Sequence, residues 1–238
     1  TLRPLGEQML WLSTGYRQTV AKGSVAGFPE LTPAIEAAFP GRVTRDAAGR
    51  LIAVDARPIN IARDTDAELT SGIAVRLPAK RSGPTANATQ FTFSLRHRWK
   101  LKSELLTRAG LPVIDQLTES GQPRHNLTLQ ATAGRRGLGA TLAGTWGSAS
   151  SVPSGNRIFN IKPPVTLNLS MFIEPDRLSG TARKGGLMDG LRLSFEVRNL
   201  FNGYRRVTLE DGSVPAGYNR DEIDPLGRVV QLSIRKKL

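Results

Sequence analysis

The clearest pattern along the chain is a repeat of two, in which hydrophobic and polar residues alternate. Residues 91–101 (FTFSLRHRWKL) show it best, with apolar residues and one histidine at the odd positions and polar residues at the even ones. Because successive side chains of a strand point to opposite faces, this pattern predicts a long amphipathic β-strand. The alternation recurs, and we predict eight strands: 8–20, 68–78, 90–101, 126–133, 138–146, 165–173, 190–199 and 227–237.

Helical signals are confined to one stretch, residues 32–39. Thr32 is a good helix cap and Pro33 suits the first helical position, so we predict one or two helical turns inside a loop. Several of the predicted strands are longer than the mean globular strand of about 5–6 residues. They reach the roughly 9–11 residues that a membrane-spanning strand needs.

The connections between the predicted strands alternate in length. Long ones are 21–67, 102–125, 147–164 and 200–226, and shorter ones are 79–89, 134–137 and 174–189. In an antiparallel meander alternate connections lie at opposite ends, so one end should carry long loops and the other short turns. Outer-membrane β-barrels have this asymmetry. Residues 134–137 (GRRG) are the best tight turn, because glycine adopts the positive φ that short hairpins require.

Alternation alone does not identify the solvent on the apolar side, because a soluble β-sandwich alternates as well. Strand length, the alternation in loop length and a chain that finishes on a strand together favour a membrane barrel. The longest uncharged run, 137–156, is rich in glycine and serine, so we expect no membrane-spanning helix. The chain begins at Thr1 without a signal sequence, and we expect the natural protein to begin upstream.

Composition narrows the chemistry. The chain has no cysteine and two histidines, which excludes disulfides, thiolate metal sites and a histidine-rich metal cluster. The 33 Lys and Arg against 20 Asp and Glu give a net charge of +13. This surplus suits a nucleic-acid binder, but Trp99 and the cations Arg96 and Arg98 have opposite parity and cannot hold one stacked base together.

No catalytic, cofactor or metal residues are predicted. Residues 134–139 (GRRGLG) lack the spacing of a phosphate-binding loop and a following helix, so a hairpin turn is the better interpretation. The acidic groups at 64–66 and 221–224 do not follow a calcium-loop spacing. No Gly-x-Ser-x-Gly motif occurs, and His97 and His125 lie in or beside predicted strands, which argues against a hydrolase.

Two motifs near the C-terminus resemble a known family. Residues 191–202 (LRLSFEVRNLFN) end in Asn199, Leu200, Phe201 and Asn202. The last predicted strand follows Asp224, Pro225, Leu226, Gly227 and Arg228. Both are similar to the penultimate and last strands of TonB-dependent outer-membrane receptors, and residues 44–60 and 121–126 are similar to a proteobacterial branch of that family.

The resemblance implies an all-β fold, an antiparallel transmembrane β-barrel segment of about eight strands. Such receptors have roughly 22 strands around a plug, so residues 1–238 would be the C-terminal portion of a larger barrel whose plug domain is absent here. It also implies a barrel-assembly signal formed by Gly227, Val230, Leu232, Ile234 and Leu238. Lys236 interrupts the apolar face of this signal, and Leu238 replaces the usual terminal aromatic residue.

The implied function is import of a scarce solute, of the siderophore, cobalamin or saccharide class, across the outer membrane of a Gram-negative cell. Expected partners are outer-membrane lipid and lipopolysaccharide, the barrel-assembly machinery, an unidentified small ligand and a periplasmic energy-coupling protein that acts through the missing plug. No enzyme activity, cofactor or nucleic acid is expected. A self-contained small outer-membrane barrel and a soluble basic nucleic-acid-binding β module remain open as alternatives.

Overall fold

The computed structural model describes residues 9–77, 89–119, 121–179, 186 and 188–237. Eight long strands follow one another: β1 (Met9–Ala21), β2 (Arg63–Leu77), β3 (Gln90–Leu106), β4 (His125–Arg135), β5 (Leu138–Gly147), β6 (Thr166–Ile173), β7 (Leu191–Arg198) and β8 (Val229–Lys236). They form one antiparallel sheet in which neighbours along the chain are also neighbours in the sheet. All eight predicted strands are confirmed, although β2 begins earlier and β3 ends later than the alternation indicated.

Shorter elements lie mostly in the connections. The short strands are Val25–Ala26 paired with Ile59–Asn60, Val43–Arg45 paired with Leu51–Val54, Ile114–Asp115 paired with β3, and a three-stranded sheet of Ser150–Ser154, Arg157–Lys162 and Arg206–Thr208. The helices are α1 (Pro33–Ala38), α2 (Gln116–Glu119), α3 (Pro175–Ser179) and α4 (Arg220–Ile223). The predicted helix is α1, in which the backbone N–H of Ile35 donates to Thr32 Oγ1 at 3.2 Å. No described helix is long and apolar enough to cross a membrane.

The main sheet is open. Its order starts at β1 and ends at β8, and each of these two strands is paired along one side only within the described residues. The accessible surface of the chain is 16560 Å², whereas a compact monomer of 25.8 kDa exposes about 10500 Å². The fold is therefore an all-β antiparallel sheet with two free edges, and the described residues form no two-layer sandwich.

A β-bulge interrupts the alternation near the end of β3. Ala67 pairs with Lys102 and Glu68 pairs with Lys100, so Leu101 has no partner in β2. After the bulge the even positions of β3 lie on the face that the odd positions occupied before it. The strict period of two that predicted this strand therefore ends at Leu101.

The described long and short connections lie at opposite ends of the sheet, as predicted, whereas the predicted short connection 79–89 lies almost wholly outside the described residues. Residues 22–62, 107–124, 148–165 and 199–228 are the long connections, and together we call them the long-connection layer. Within it the Arg108 guanidinium lies 5.4 Å from the Phe39 ring centre, and Ser150 Oγ donates to the Gly121 carbonyl at 2.6 Å. At the other end, the backbone N–H of Glu174 donates to the Gly137 carbonyl at 2.7 Å.

Most of the buried apolar side chains belong to the long-connection layer. Among described residues, those buried there are Ile35, Ile59, Ile61, Leu117 and Val207. The eight long strands add only Ala67 and Val197. The small hydrophobic core thus sits beyond one end of the sheet and does not underlie it.

Candidate functional site

One face of the main sheet carries an unbroken apolar row that crosses all eight strands. Strand pairing aligns, from β1 to β8, the residues Leu10, Val75, Phe93, Ala131, Leu142, Leu169, Val197 and Val230. The next row towards the short connections is Leu77, Phe91, Ala133, Ala140, Met171, Phe195 and Leu232. We call this side of the sheet the apolar face.

The opposite side of the sheet is polar. Its matching row consists of Met9, Arg76, Thr92, Thr132, Thr141, Ser170, Glu196 and Gln231. Only Met9, on the edge strand, is apolar in that row. The two rows are offset by one residue in every strand. The same pairing register therefore holds across the whole sheet and places the two rows on opposite faces. We call this side the polar face.

Most side chains of the apolar face are half-buried or exposed in the described part of the chain. Leu232 and Ile234, on the edge strand β8, are 70% and 69% exposed, whereas Val197 in the row that crosses the sheet is 5% exposed. Burying a leucine or isoleucine side chain is worth about 1.5–3 kcal/mol. A contiguous apolar surface of this extent marks a contact with another protein or with a membrane.

Aromatic residues lie near the long-connection end of the apolar face. Pairing places Tyr16, Leu69, Trp99 and His125 in one row. Trp146 pairs with Leu127 in the adjacent row. At the opposite end, Arg135 pairs with Leu138 on the same face. The apolar rows are therefore bounded by aromatic rings at one end and by a cation at the other.

The two histidines of the chain meet on the apolar face. His97 Nε2 and His125 Nδ1 are 3.1 Å apart, within hydrogen-bond distance. The His125 ring also stacks on Trp99, with ring centres 5.4 Å apart. Which of the two imidazole nitrogens donates in this hydrogen bond depends on the tautomers of the rings. No group of three metal-ligating side chains occurs in the described ranges.

The Asn199–Asn202 and Asp224–Arg228 motifs come together in the structure. Asn199 Nδ2 donates to the Gly203 carbonyl at 2.7 Å and lies 3.4 Å from the Gly227 carbonyl oxygen. The backbone N–H of Arg228 donates to Asn202 Oδ1 at 3.1 Å. The two motifs thus join the end of β7 to the start of β8 across the long connection between them, and we call this the asparagine junction.

Backbone conformation explains the residue types in the asparagine junction. Asn199 has φ of 53° and Asn202 has φ of 54°, in the left-handed region that asparagine tolerates better than other non-glycine residues. Gly227 has φ of 58°, and a Cβ there would lie 2.6 Å from Asn202 Oδ1. These contacts give the motif an evident structural role, which residue spacing alone does not reveal.

Other residues of the two motifs are solvent-exposed or cap the neighbouring helix. Phe201 is 64% exposed and Leu226 is 80% exposed. Asp224 ends α4, where its backbone N–H donates to the Arg220 carbonyl. Leu200 donates its N–H to the Leu167 carbonyl at 2.7 Å and so ties the turn to β6, and Pro225 follows α4 directly.

The residues of the predicted assembly signal lie on or beside β8. Val230, Leu232 and Ile234 belong to the apolar face of this edge strand and are exposed. Gly227 belongs to the asparagine junction that precedes it, whereas Leu238 lies outside the described residues. Lys236 pairs with Leu191 at the end of the same face.

The charged candidates from the sequence do not form catalytic or phosphate sites. Residues 134–139 form the hairpin between β4 and β5, in which Gly137 has φ of 71° and Arg135 pairs with Leu138. Asp66 Oδ1 accepts from Ser103 Oγ at 2.7 Å. The residues 221–224 lie in α4 and at its end.

A compact ion cluster is present in the long-connection layer. Asp55 accepts from the Arg57 guanidinium, with Nη2 at 2.7 Å from Oδ2. Arg42 Nη1 lies 3.8 Å from Asp55 Oδ1. Hydrogen bonds from the Arg57 side chain and backbone N–H lower the pKa of Asp55 to about 2, because they stabilise its charged form.

Comparison with known proteins adds no relative: no protein-family model matches the chain, and neither the curated proteins nor the solved structures contain a significant match.

Proposed function

We propose that the main sheet is part of the wall of a transmembrane β-barrel in the outer membrane. The observation that carries the proposal is the unbroken apolar row from Leu10 to Val230, in which every side chain except Val197 is half-buried or exposed. In this arrangement the apolar face contacts acyl chains and the polar face lines an aqueous interior, as in outer-membrane barrels. Acyl chains then supply the apolar surroundings that the chain itself does not.

The height of the apolar face supports the proposal. In β4 it extends from Arg135 to His125, about 33 Å along the strand at about 3.3 Å per residue. A tilt of about 40° reduces this to about 25 Å, the height of the apolar band of outer-membrane barrels. The aromatic row with Tyr16 and Trp99 then lies at headgroup level, where amphipathic rings are favoured.

The connections also support the proposal. Barrels of this class have short periplasmic turns and long extracellular loops. The two-residue turn between β4 and β5 then lies on the periplasmic side, and the long-connection layer lies outside the cell, where its own small core keeps it folded in water.

Within this class, the chain functions as the C-terminal part of a TonB-dependent receptor that imports a scarce solute. The support is the resemblance of the two motifs at 199–202 and 224–228, which meet in the asparagine junction. The proposed partners are outer-membrane lipid and lipopolysaccharide, the barrel-assembly machinery and a periplasmic energy-coupling protein reached through an upstream plug. Solute transport requires no bond-making residue, so no catalytic role is proposed.

The unpaired edges of β1 and β8 support a larger barrel over a self-contained barrel of eight strands. Exposed edges in hydrocarbon would leave backbone groups without hydrogen-bond partners. A soluble nucleic-acid module is less well supported, because Trp99 lies on the apolar face whereas Arg96 and Arg98 lie on the polar face.

Refolding tests the membrane assignment. The urea-unfolded product of the whole gene is diluted into plain buffer, detergent micelles or liposomes, and β-structure is followed by circular dichroism together with protease resistance. We expect a protected sheet with micelles or liposomes and aggregation without them. A folded monomer in plain buffer that ignores liposomes would contradict the assignment.

Crosslinking in cells tests the receptor assignment. The product of the whole gene is fractionated and photo-crosslinked to the periplasmic energy-coupling protein. We expect it in the outer-membrane fraction, with a crosslink that disappears when the upstream plug is deleted. A product found in the cytosol, or in the outer membrane without any such crosslink, would contradict the receptor assignment.

A further inference from the structure

Two rows of the polar face contain arginine among small neutral residues only. The first row is Ser13, Gly72, Arg96, Thr128, Thr145 and Thr166. The second row is Gly15, Thr70, Arg98, Asn126 and Gly147. Neither row has an acidic residue, so the strand neighbours of the two arginines offer hydroxyl groups, an amide and bare backbone, and the carboxylate of Glu68 lies in the adjoining row.

Arg96 and Arg98 have no ion pair with a carboxylate among the described residues, whereas Arg192 and Arg198 of the same face do. Arg192 lies 3.4 Å from Glu174 Oε1, and Arg198 donates to Glu196 at 2.7 Å. The nearest acid in the adjoining row, Glu68, lies 4.0 Å from Arg17 Nη1. Two neighbouring positive charges are therefore left without compensation on this surface.

Arg96 and Arg98 line a polar cleft of about 570 Å³. The other residues that form it are Gly15, Tyr16, Arg17, Glu68, Thr70, Asn126 and Thr128. A Cβ at Gly15 would meet nothing within 4 Å, which shows how open this side of the cleft is. Its volume is in the range of small-molecule sites, about 300–1000 Å³. Thr70, Thr128 and Asn126 add neutral hydrogen-bond donors to the two guanidinium groups.

We propose that this cleft binds a small polyanionic solute through its phosphate or carboxylate groups. Arg96 and Arg98 are two residues apart on β3, so their Cα atoms are about 7 Å apart, and their side chains can contact two anionic groups of one molecule. Guanidinium forms paired, charge-assisted hydrogen bonds with such oxyanions. The inference rests on the proposed function for its biological meaning, since it assigns a charge class to the imported solute.

Titration calorimetry of the chain folded in micelles tests the site, with pyrophosphate as the probe. We expect saturable binding with one site per chain. The double variant Arg96→Gln/Arg98→Gln should weaken it at least tenfold. The matched control is Arg76→Gln, which removes a polar-face arginine of β2 outside the cleft and should change the affinity less than twofold.

The outcomes separate this site from the membrane assignment. If the folded chain does not bind pyrophosphate saturably, or if the double variant binds it equally well, the proposed site is wrong. Insertion into liposomes is measured separately and is not affected by that outcome. If the chain binds pyrophosphate but does not insert into liposomes, the result supports the site and contradicts the membrane assignment. The last comparison uses an oligonucleotide and an acidic peptide of equal charge. If either binds more than tenfold more tightly than pyrophosphate, and does so only when both arginines are present, a small solute is not the occupant of the cleft.

Discussion

The main sheet and the long-connection layer differ in how far their apolar side chains are buried. In the long-connection layer Val207 is 2% exposed and Ile61 is 3% exposed. On the apolar face of the sheet Leu232 and Ile234, on the edge strand β8, are 70% and 69% exposed. The layer therefore buries apolar side chains within the chain, whereas the sheet leaves most of those on its apolar face half-buried or exposed.

Under the proposed function the two regions depend on different environments for their stability. The layer joins its segments through side chains such as Arg108, which contacts Phe39, and through the pairing of Lys162 with Arg206. The strands of the sheet are hydrogen-bonded to their neighbours, whereas most side chains of its apolar face are half-buried or exposed. Removing lipid should therefore destabilise the sheet first, and removing a buried side chain of the layer should act in any solvent.

The largest expected effect is a charge on the apolar face. Leu142→Arg should destabilise the chain in liposomes by about 4 kcal/mol or more, because arginine at the bilayer midplane costs about 2–4 kcal/mol and the lost leucine adds about 1.5–3 kcal/mol. Thr141→Arg, the neighbouring polar-face control, should cost less than about 1 kcal/mol. Urea titration of liposome-folded protein measures both. Equal losses would contradict the assignment of the two faces.

The next largest effect is expected when a large apolar side chain is shortened in the long-connection layer and, for comparison, on the apolar face of the sheet. Ile61→Ala should lower the free energy of unfolding by about 2–5 kcal/mol, because Ile61 is buried and the space it leaves is only partly filled. Leu232→Ala should cost under about 1 kcal/mol in micelles, since mobile acyl chains fill the space beside an exposed side chain. Denaturant titration in one detergent compares them. A larger loss for Leu232→Ala would show that protein covers this face.

The asparagine junction should have an intermediate effect. Asn199→Ala should cost about 2–3 kcal/mol, since alanine pays about 1 kcal/mol in the left-handed region and each lost hydrogen bond adds about 0.5–1.5 kcal/mol. Asn199→Gly removes the same side-chain bonds without the backbone strain, so it should be milder. Unfolding of both variants in micelles provides the measurement. A glycine variant less stable than the alanine variant would show that the positive φ of Asn199 is not a source of strain.

The smallest effect should come from the ion cluster of the long-connection layer. In the folded protein the pKa of Asp55 is about 2, which lies below the usual Asp value of about 3.9. Asp55 therefore stabilises the fold above about pH 4, and this stabilisation is lost as the pH falls through about 2. Asp55→Asn should be slightly less stable at pH 7 and equal to the parent at pH 2, as measured by thermal unfolding. The Asp55 side chain is partly exposed, so high salt should reduce the difference.

The sheet could be predicted from sequence because its faces differ in one simple way. Alternation in residues 91–101 identified β3, and Gly137 identified the tight turn, since both signals are local. The helix α1 was equally predictable from Thr32 and Pro33. Each of these elements depends on residues within a few positions of one another.

Features that depend on distant residues could not be predicted in this way. The bulge at Leu101 depends on how β2 pairs with β3. The contact between His97 and His125, and the bond between Asn202 and Arg228, need strand register that a single segment does not encode. The rows of small neutral residues beside Arg96 and Arg98 became evident only when the strands of the sheet were aligned.

A pair of single cysteines offers the most direct test of the claim that lipid covers the apolar face. The chain has no cysteine of its own, so Leu142→Cys and Thr141→Cys can each carry one fluorescent label without background. In liposomes the label at position 142 should be quenched by a brominated lipid, and the label at 141 by a water-soluble quencher. Equal access of the water-soluble quencher to both labels, in protein that is folded, would contradict the account.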